Sequence, residues 1–177
     1  MHLDTSVLIP MLKKKGRKDD IAKAAIRLRE RAKRRGHTKL KITLPVLGEL
    51  VLFCLREQTT EPLEELMTLK NALGEKLELG AVPKFRNTAL DFHEVLSRLL
   101  RADDYLRDSP ADAIIIALAV MDPEADVLKI NDTTIILSGK LREEVNALRD
   151  ELGFKKLKIK PLAADDSRRA CYLPRGT

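Results

Sequence analysis

The stretch that most constrains this chain runs from Asp108 to Asp132. It reads Asp108-Ser-Pro-Ala-Asp112-Ala-Ile-Ile-Ile-Ala-Leu-Ala, and later Val127-Leu-Lys-Ile130-Asn131-Asp132. A turn ends in Ser109, a residue suited to an N-cap, and Pro110 suits the first helical position. A nearly all-apolar helix follows, then an apolar strand. Asp112 falls in the first helical turn, near the positive end of the helix dipole. Asp132 falls just past the strand, where the next helix should begin. Two carboxylates at the carboxyl edge of a parallel sheet stand where open α/β folds place their sites.

Each aspartate also has an ordinary explanation. Asp112 could complete a capping box begun by Ser109. Asp132 could simply cap the helix expected over residues 133–149. Two further carboxylates upstream shift the balance. His2-Leu-Asp4 reads as the end of a short first strand, so Asp4 also lies past a strand end, as a site residue or as an Asx-turn closing the strand. Leu40-Lys-Ile-Thr43 is a second strand, and Thr43 should cap a helix from Leu44 to about Glu57. That helix is apolar nearly all round, which predicts burial. Glu49 is the only ionisable residue between Pro45 and Leu55. A buried carboxylate needs a cation, a metal or a donor, or it takes up a proton. Alternatively, Glu49 occupies a small exposed window.

The remaining elements complete an alternation of strands and helices. Asp19 and Asp20 open a helix to about Arg35, with Ile21, Ala25, Leu28 and Ala32 on one narrow apolar face. Gly36 should end it. Further helices are expected from Glu61 to Gly74 and from Asn87 to about Arg101, with a short strand at Leu77–Val82 between them. Lys156-Leu-Lys-Ile-Lys160 reads as an edge strand with its charges outward. The pattern predicts an α/β fold built on a parallel βαβ sheet. With 177 residues, one domain over residues 1–160 and a polar tail over 161–177 are expected.

Charge is distributed unevenly. Residues 13–41 carry 14 Lys/Arg against Asp19, Asp20 and Glu30, a net of +11, and since the chain totals +6 the remainder is −5. Such asymmetry points to a polyanion partner. Lys13, Lys14, Lys15, Arg17 and Lys18 form a basic loop around Gly16, suited to backbone phosphates. Few aromatics interleave with it, so base stacking is not indicated. Cys54 and Cys171 are the only cysteines, and His2, His37 and His93 lie in unrelated contexts, which argues against a disulfide framework and a His/Cys metal site. His93 is expected to be packed or half-exposed on its helix. No run approaches a membrane span, and His2 and Asp4 interrupt any leader-like start, so an intracellular, cytoplasmic protein is expected.

Asp4, Glu49, Asp112 and Asp132 thus stand at element ends on one edge of a parallel sheet. Four converging carboxylates repel unless something neutralises them, and oxygen-only ligands suit Mg²⁺ or Mn²⁺. A hard cation between carboxylates and phosphate oxygens assists in-line displacement by water.

In these four segments the chain resembles the PIN-domain ribonucleases. Leu3-Asp-Thr-Ser-Val-Leu-Ile9 is similar to the family's opening strand and first acid. Thr43-Leu-Pro-Val-Leu-Gly-Glu49-Leu is similar to the segment that carries its glutamate. Asp112-Ala-Ile-Ile-Ile-Ala-Leu-Ala and Ile130-Asn-Asp132 are similar to the third and fourth motifs. The resemblance covers residues 1 to about 160. It implies a PIN-like fold, a three-layer α/β/α sandwich around a central, mainly parallel sheet, and a Mg²⁺- or Mn²⁺-dependent endoribonuclease whose metal ligands are Asp4, Glu49, Asp112 and Asp132. It implies RNA hydrolysis leaving a 5′-phosphate. It also implies two partners: an antitoxin, as in VapC-like toxin–antitoxin pairs, and a second copy in a homodimer. Around this site, Thr5 and Asn131 could hydrogen-bond the attacking water or a phosphate oxygen, with ordinary helix capping the favoured role for Thr5, and Asp108 could add a charge outside the ligand set. The chain departs from the family's usual pattern after Asp132, where Thr133-Thr-Ile135 replaces a further acid or aromatic, and in its long basic arm.

The main alternative is a PIN-like scaffold that binds RNA or a protein without cutting. A polyanion binder gains nothing from a negative pocket, which counts against it. A generic nucleotide-binding domain is disfavoured because no GxxxxGK[ST] or GxGxxG stretch is present.

Overall fold

The computed structural model describes residues 1–12, 23, 27–32, 39–82 and 90–162. The chain begins with strand β1 (His2–Leu3) and helix α1 (Thr5–Leu12). Strand β2 (Leu40–Thr43) leads into α2 (Leu44–Arg56) and α3 (Glu61–Leu73), and a 3₁₀ turn at Gly74–Lys76 enters β3 (Leu77–Ala81). Next come α4 (Phe92–Ala102), the short α5 (Tyr105–Asp108), α6 (Pro110–Met121) and β4 (Val127–Lys129). Helices α7 (Thr133–Leu137) and α8 (Gly139–Glu151) precede β5 (Lys158–Lys160).

All strands are parallel, in the order β3-β2-β1-β4-β5. The two-residue β1 is the centre of the sheet. His2 pairs with Lys41 on one side and Leu128 on the other. Its pairing is prolonged at both ends, by Lys41 N–H to the Met1 carbonyl (2.9 Å) and Asp4 N–H to the Lys129 carbonyl (3.0 Å). Strand order reverses direction at β1, so right-handed crossovers send α1–α3 to one face and the later helices to the other. This α/β architecture is consistent with a three-layer α/β/α sandwich. It also makes the ends of β1, β2 and β4 converge on one carboxyl edge.

The two apolar helices turn out differently. In α6, Ala113 and every residue from Ile115 to Met121 are buried, so it is the core helix its composition suggests. Burying each such Ile or Leu contributes roughly 1.5–3 kcal/mol. Helix α2 does not share this burial. It buries Val46, Leu50 and Cys54, but Leu44, Val51, Leu52 and Leu55 are 58%, 43%, 53% and 69% exposed. One face packs on the sheet and α3, and nothing described covers the other. Apolar composition alone thus overstated the burial of α2.

Other elements depart from expectation in detail. The single helix expected over residues 133–149 is two, because Ser138 breaks it and caps α8, accepting from Leu141 N–H. Helix α4 begins at Phe92, capped by Asp91, which accepts from Glu94 N–H at 2.7 Å. His93 is exposed on it. The strand at β3 and the edge strand β5 are present, and Gly74, at φ +55°, ends α3. Pro161 and Leu162, placed in the tail by sequence, are tied down: Lys129 donates to the Pro161 carbonyl, and Leu162 N–H donates to Asn131 Oδ1. Of the basic helix, residues 27–32 are helical, with Leu28 and Ala32 buried and Arg27 and Arg31 exposed. Lys13, Lys14, Lys15, Arg17 and Lys18 lie outside the described residues, as does most of the tail.

Candidate active site at the carboxyl edge

Asp4 follows β1 and opens α1. It is 4% exposed, and its Oδ2 accepts from both the N–H (2.8 Å) and the hydroxyl of Ser6. The Asx-turn expected from its position is therefore formed, and the Asp4 carbonyl accepts from Val7 and Leu8 N–H as the helix starts. The next residue, Thr5, donates its hydroxyl to Glu49 Oε2. Glu49 lies in the second turn of α2 and is half-buried, between the two alternatives of a fully buried carboxylate and an exposed window. Consecutive hydroxyls of α1, Thr5 and Ser6, thus hold the first two acids.

Asp132 does cap a helix. Its Oδ1 accepts from Thr134 N–H (2.8 Å) and Ile135 N–H (3.1 Å). Its Oδ2 accepts from the Tyr105 hydroxyl at 2.7 Å. Burial alone would raise this carboxyl, but the bonds from Tyr105, Ile135 and Thr134 outweigh it and hold it below its ordinary value.

Asp112 differs from the other three. Ser109 stands at the N-cap position of α6 but its side chain makes no capping bond, and no capping box forms. Among the described residues no donor reaches the Asp112 carboxylate. Burial, and then the charges of Asp4, Glu49 and Asp132, push its carboxyl up to about 7. The Asp4, Glu49 and Asp132 carboxylates are therefore close enough to act on Asp112, and no described cation stands among the charges that act on it.

The flanking residues divide. Thr5 is in contact with Glu49, but Asn131 is committed elsewhere. Asn131 N–H donates to Ser6 Oγ (2.9 Å), Nδ2 donates to the Ser6 carbonyl (2.9 Å), and Oδ1 accepts from Leu162. It ties β4 to α1 and has little left for a water or phosphate. Asp108 is exposed, and it is not among the charges that act on Asp112. Two residues that were not among the expected site residues also contact these acids: Ser6, which bonds Asp4, and Tyr105, which bonds Asp132. Thr43, the expected cap of α2, stands at the N-cap position, but its hydroxyl is buried and makes no hydrogen bond.

A cavity of about 450 Å³ lies away from these acids, lined by His2, Lys41, Lys70 and the turn at Asp122–Glu124. The ionisable groups at its Asp122 end are paired. Asp122 Oδ2 accepts from His2 Nε2 and Lys41 Nζ, both at 2.7 Å, and Lys41 also reaches Glu124 at 2.9 Å. Lys70 donates to the Gly74 and Leu77 carbonyls. Paired ions around a turn close a fold; they do not leave chemistry to be done.

As arranged, no three His, Cys, Asp or Glu side chains among the described residues are grouped to enclose a metal ion. The chemistry of the donor set nonetheless suits one. It is oxygen only, and its central carboxylate is undonated and destabilised by its own neighbours, which a hard divalent cation would relieve. Among the described residues no helix is long and apolar enough to cross a membrane. Compared with known proteins, the chain matches no family model, no curated protein and no solved structure.

Proposed function

We propose that this chain is a PIN-like, Mg²⁺- or Mn²⁺-dependent endoribonuclease. The observation that carries the reading is Asp112: an undonated carboxylate at the carboxyl edge of a parallel sheet, pushed up to about 7 by burial and by Asp4, Glu49 and Asp132. Structure alone gains nothing from that arrangement, whereas a cation site does. The four acids would hold the ion. When bound, a divalent cation neutralises the attacked phosphate, activates water and stabilises the leaving oxygen.

The chain's own groups prepare that chemistry. Ser6 holds Asp4, Thr5 holds Glu49, and Tyr105 with the start of α7 holds Asp132. The substrate class follows from charge. The net +11 of residues 13–41 suits a phosphate backbone, so binding should weaken steeply with salt. Lys13, Lys14, Lys15, Arg17 and Lys18 are the residues proposed to steer it.

A protein partner is a second part of the reading. The uncovered apolar residues Leu44, Val51, Leu52 and Leu55 of α2 favour one, whether an antitoxin or a second copy. The same face would serve a non-cleaving module, so cleavage is the deciding test. Labelled structured RNA is incubated with Mn²⁺, Mg²⁺ or EDTA beside Asp112→Asn. Metal-dependent cutting that falls at least about a hundredfold in the variant, with the fold retained, is expected. Equal cutting by the variant removes Asp112 from the mechanism. RNA binding without cutting under any metal favours the module.

A further inference from the structure

We propose that Tyr105 is a positioning residue of the acidic site, its hydroxyl holding Asp132 in place among the other carboxylates. This rests on the metal-site reading above and adds to it a residue that none of the four acidic motifs contains.

A carboxylate offers about four acceptor positions. On Asp132, the Thr134 and Ile135 N–H groups take Oδ1, and the Tyr105 hydroxyl takes Oδ2 at 2.7 Å. Both oxygens are thus oriented by donors from different elements, α7 and α5. Without the phenol, Asp132 loses its donor from α5 and, among the described residues, is held from the start of α7 alone, while it still faces the charge of Asp112. Repulsion would then favour its turning away.

The phenol's own position is over-determined. Tyr105 N–H donates to Asp103 Oδ1 at 3.0 Å, and its carbonyl accepts from Ser109 N–H at 3.1 Å. The neighbouring Leu106 is fully buried, and the Tyr105 ring packs partly on the core. Helix α5, only four residues long, therefore acts as a strut between α4 and α6 that presents one hydroxyl to the site. Groups that hydrogen-bond a ligating carboxylate in this way typically change metal affinity about 10–100-fold when removed.

The test is a Mn²⁺ titration of the full chain as wild type, Tyr105→Phe and Arg107→Ala, with melting in EDTA and RNA cleavage kinetics on each. Arg107 is an exposed neighbour on the same short helix, bonded to the Leu100 carbonyl and paired with Asp104. Tyr105→Phe should bind Mn²⁺ about tenfold or more weakly and cut with a lower kcat. Its KM for RNA and its melting temperature in EDTA should stay near wild type. Arg107→Ala should match wild type in all four. Equal Mn²⁺ affinity in Tyr105→Phe and wild type overturns the proposal. So does an affinity loss matched by a fall in EDTA melting temperature, because the hydroxyl is then a general stabiliser. A wild type that binds no Mn²⁺ overturns the metal-site reading and this one together, and is recognised because the control fails too.

Discussion

Helix α6 has an aspartate at each end, and the two meet opposite electrostatic surroundings. Asp112 lies in the first turn, where the helix dipole favours a carboxylate; Asp122 is the C-cap, where it does not. Yet Asp112 is pushed up to about 7, while Asp122 is held well below the usual carboxylate range. Neighbours decide the matter. A dipole effect of roughly 0.3–1 kcal/mol is small where one pKa unit is about 1.4 kcal/mol. Burial works to raise both carboxyls. At Asp122 it is overcome by His2, Lys41 and the Glu124 N–H. At Asp112 it is reinforced by three carboxylates. The turn after α6 is further clamped by Arg149, fully buried, which donates to the Val120, Asp122 and Ala125 carbonyls. One end of the helix is neutralised by partners that hold the fold. The other has only other carboxylates named beside it, which is the arrangement the proposed cation would relieve.

The largest effect should come from breaking the paired end. Asp122→Ala leaves His2 and Lys41 buried at the amino edge without their shared acceptor, and Glu124 alone remains to Lys41. Removing one partner of a buried ion pair costs about 3–5 kcal/mol. Urea unfolding near neutral pH should show that loss. A cost under about 1 kcal/mol would mean that this network is not what closes the turn, and the contrast between the two ends would fail.

How far each end can be read from sequence differs for the same reason. The carboxyl-edge acids are legible because each follows a strand or opens a helix, and an alternating parallel fold sends all such positions to one edge. The His2–Asp122–Lys41 network is not legible. Its members lie 120 and 81 residues apart from Asp122, and only the strand order brings them together. Tyr105 was missed because a four-residue helix carries no periodicity. The break at Ser138 did have a signal, a serine before glycine, which a capping preference could have picked out. Helix α2 was misjudged because apolarity reports what a residue prefers, and burial depends on what lies above it. Asn131 was placed beside the chemistry by its position, whereas the bonds it makes tie β4 to α1 through Ser6 and to Leu162.

A smaller effect of opposite sign is expected at the unpaired end. The Asp112 carboxyl titrates near 7 in the folded chain and near 4 when unfolded, so the folded state holds the extra proton between these values. Stability from this group is present below pH 4 and is lost as pH rises through 7. Asp112→Asn removes the penalty. In EDTA at pH 8 the variant should be more stable than wild type by about 1–2 kcal/mol, after allowing for solvent screening of a half-buried group. At pH 4 the two should coincide. Urea unfolding at both pH values checks this, and a variant no more stable at pH 8 would show that the site's repulsion is already relieved within the protein. The activity loss and the stability gain from one substitution would together mark a group kept for function against its cost to folding.

The smallest effect separates charge from burial. Glu124 also pairs with Lys41, and that bond holds its carboxyl below the ordinary value. Its side chain, however, is 67% exposed, against 6% for Asp122. Water screens it and solvates the partner when it is gone. Glu124→Gln should therefore cost about 0.5 kcal/mol or less in urea unfolding, with the small difference fading as pH falls through the carboxylate range. A cost equal to that of Asp122→Ala would mean that the network depends on its count of charges. A negligible one, beside a large loss at Asp122, would mean that the amino edge is held by the single acceptor taken out of water. On that outcome the Asp112 end, where a half-buried carboxylate has no donor, differs from the Asp122 end in its partners more than in its charge.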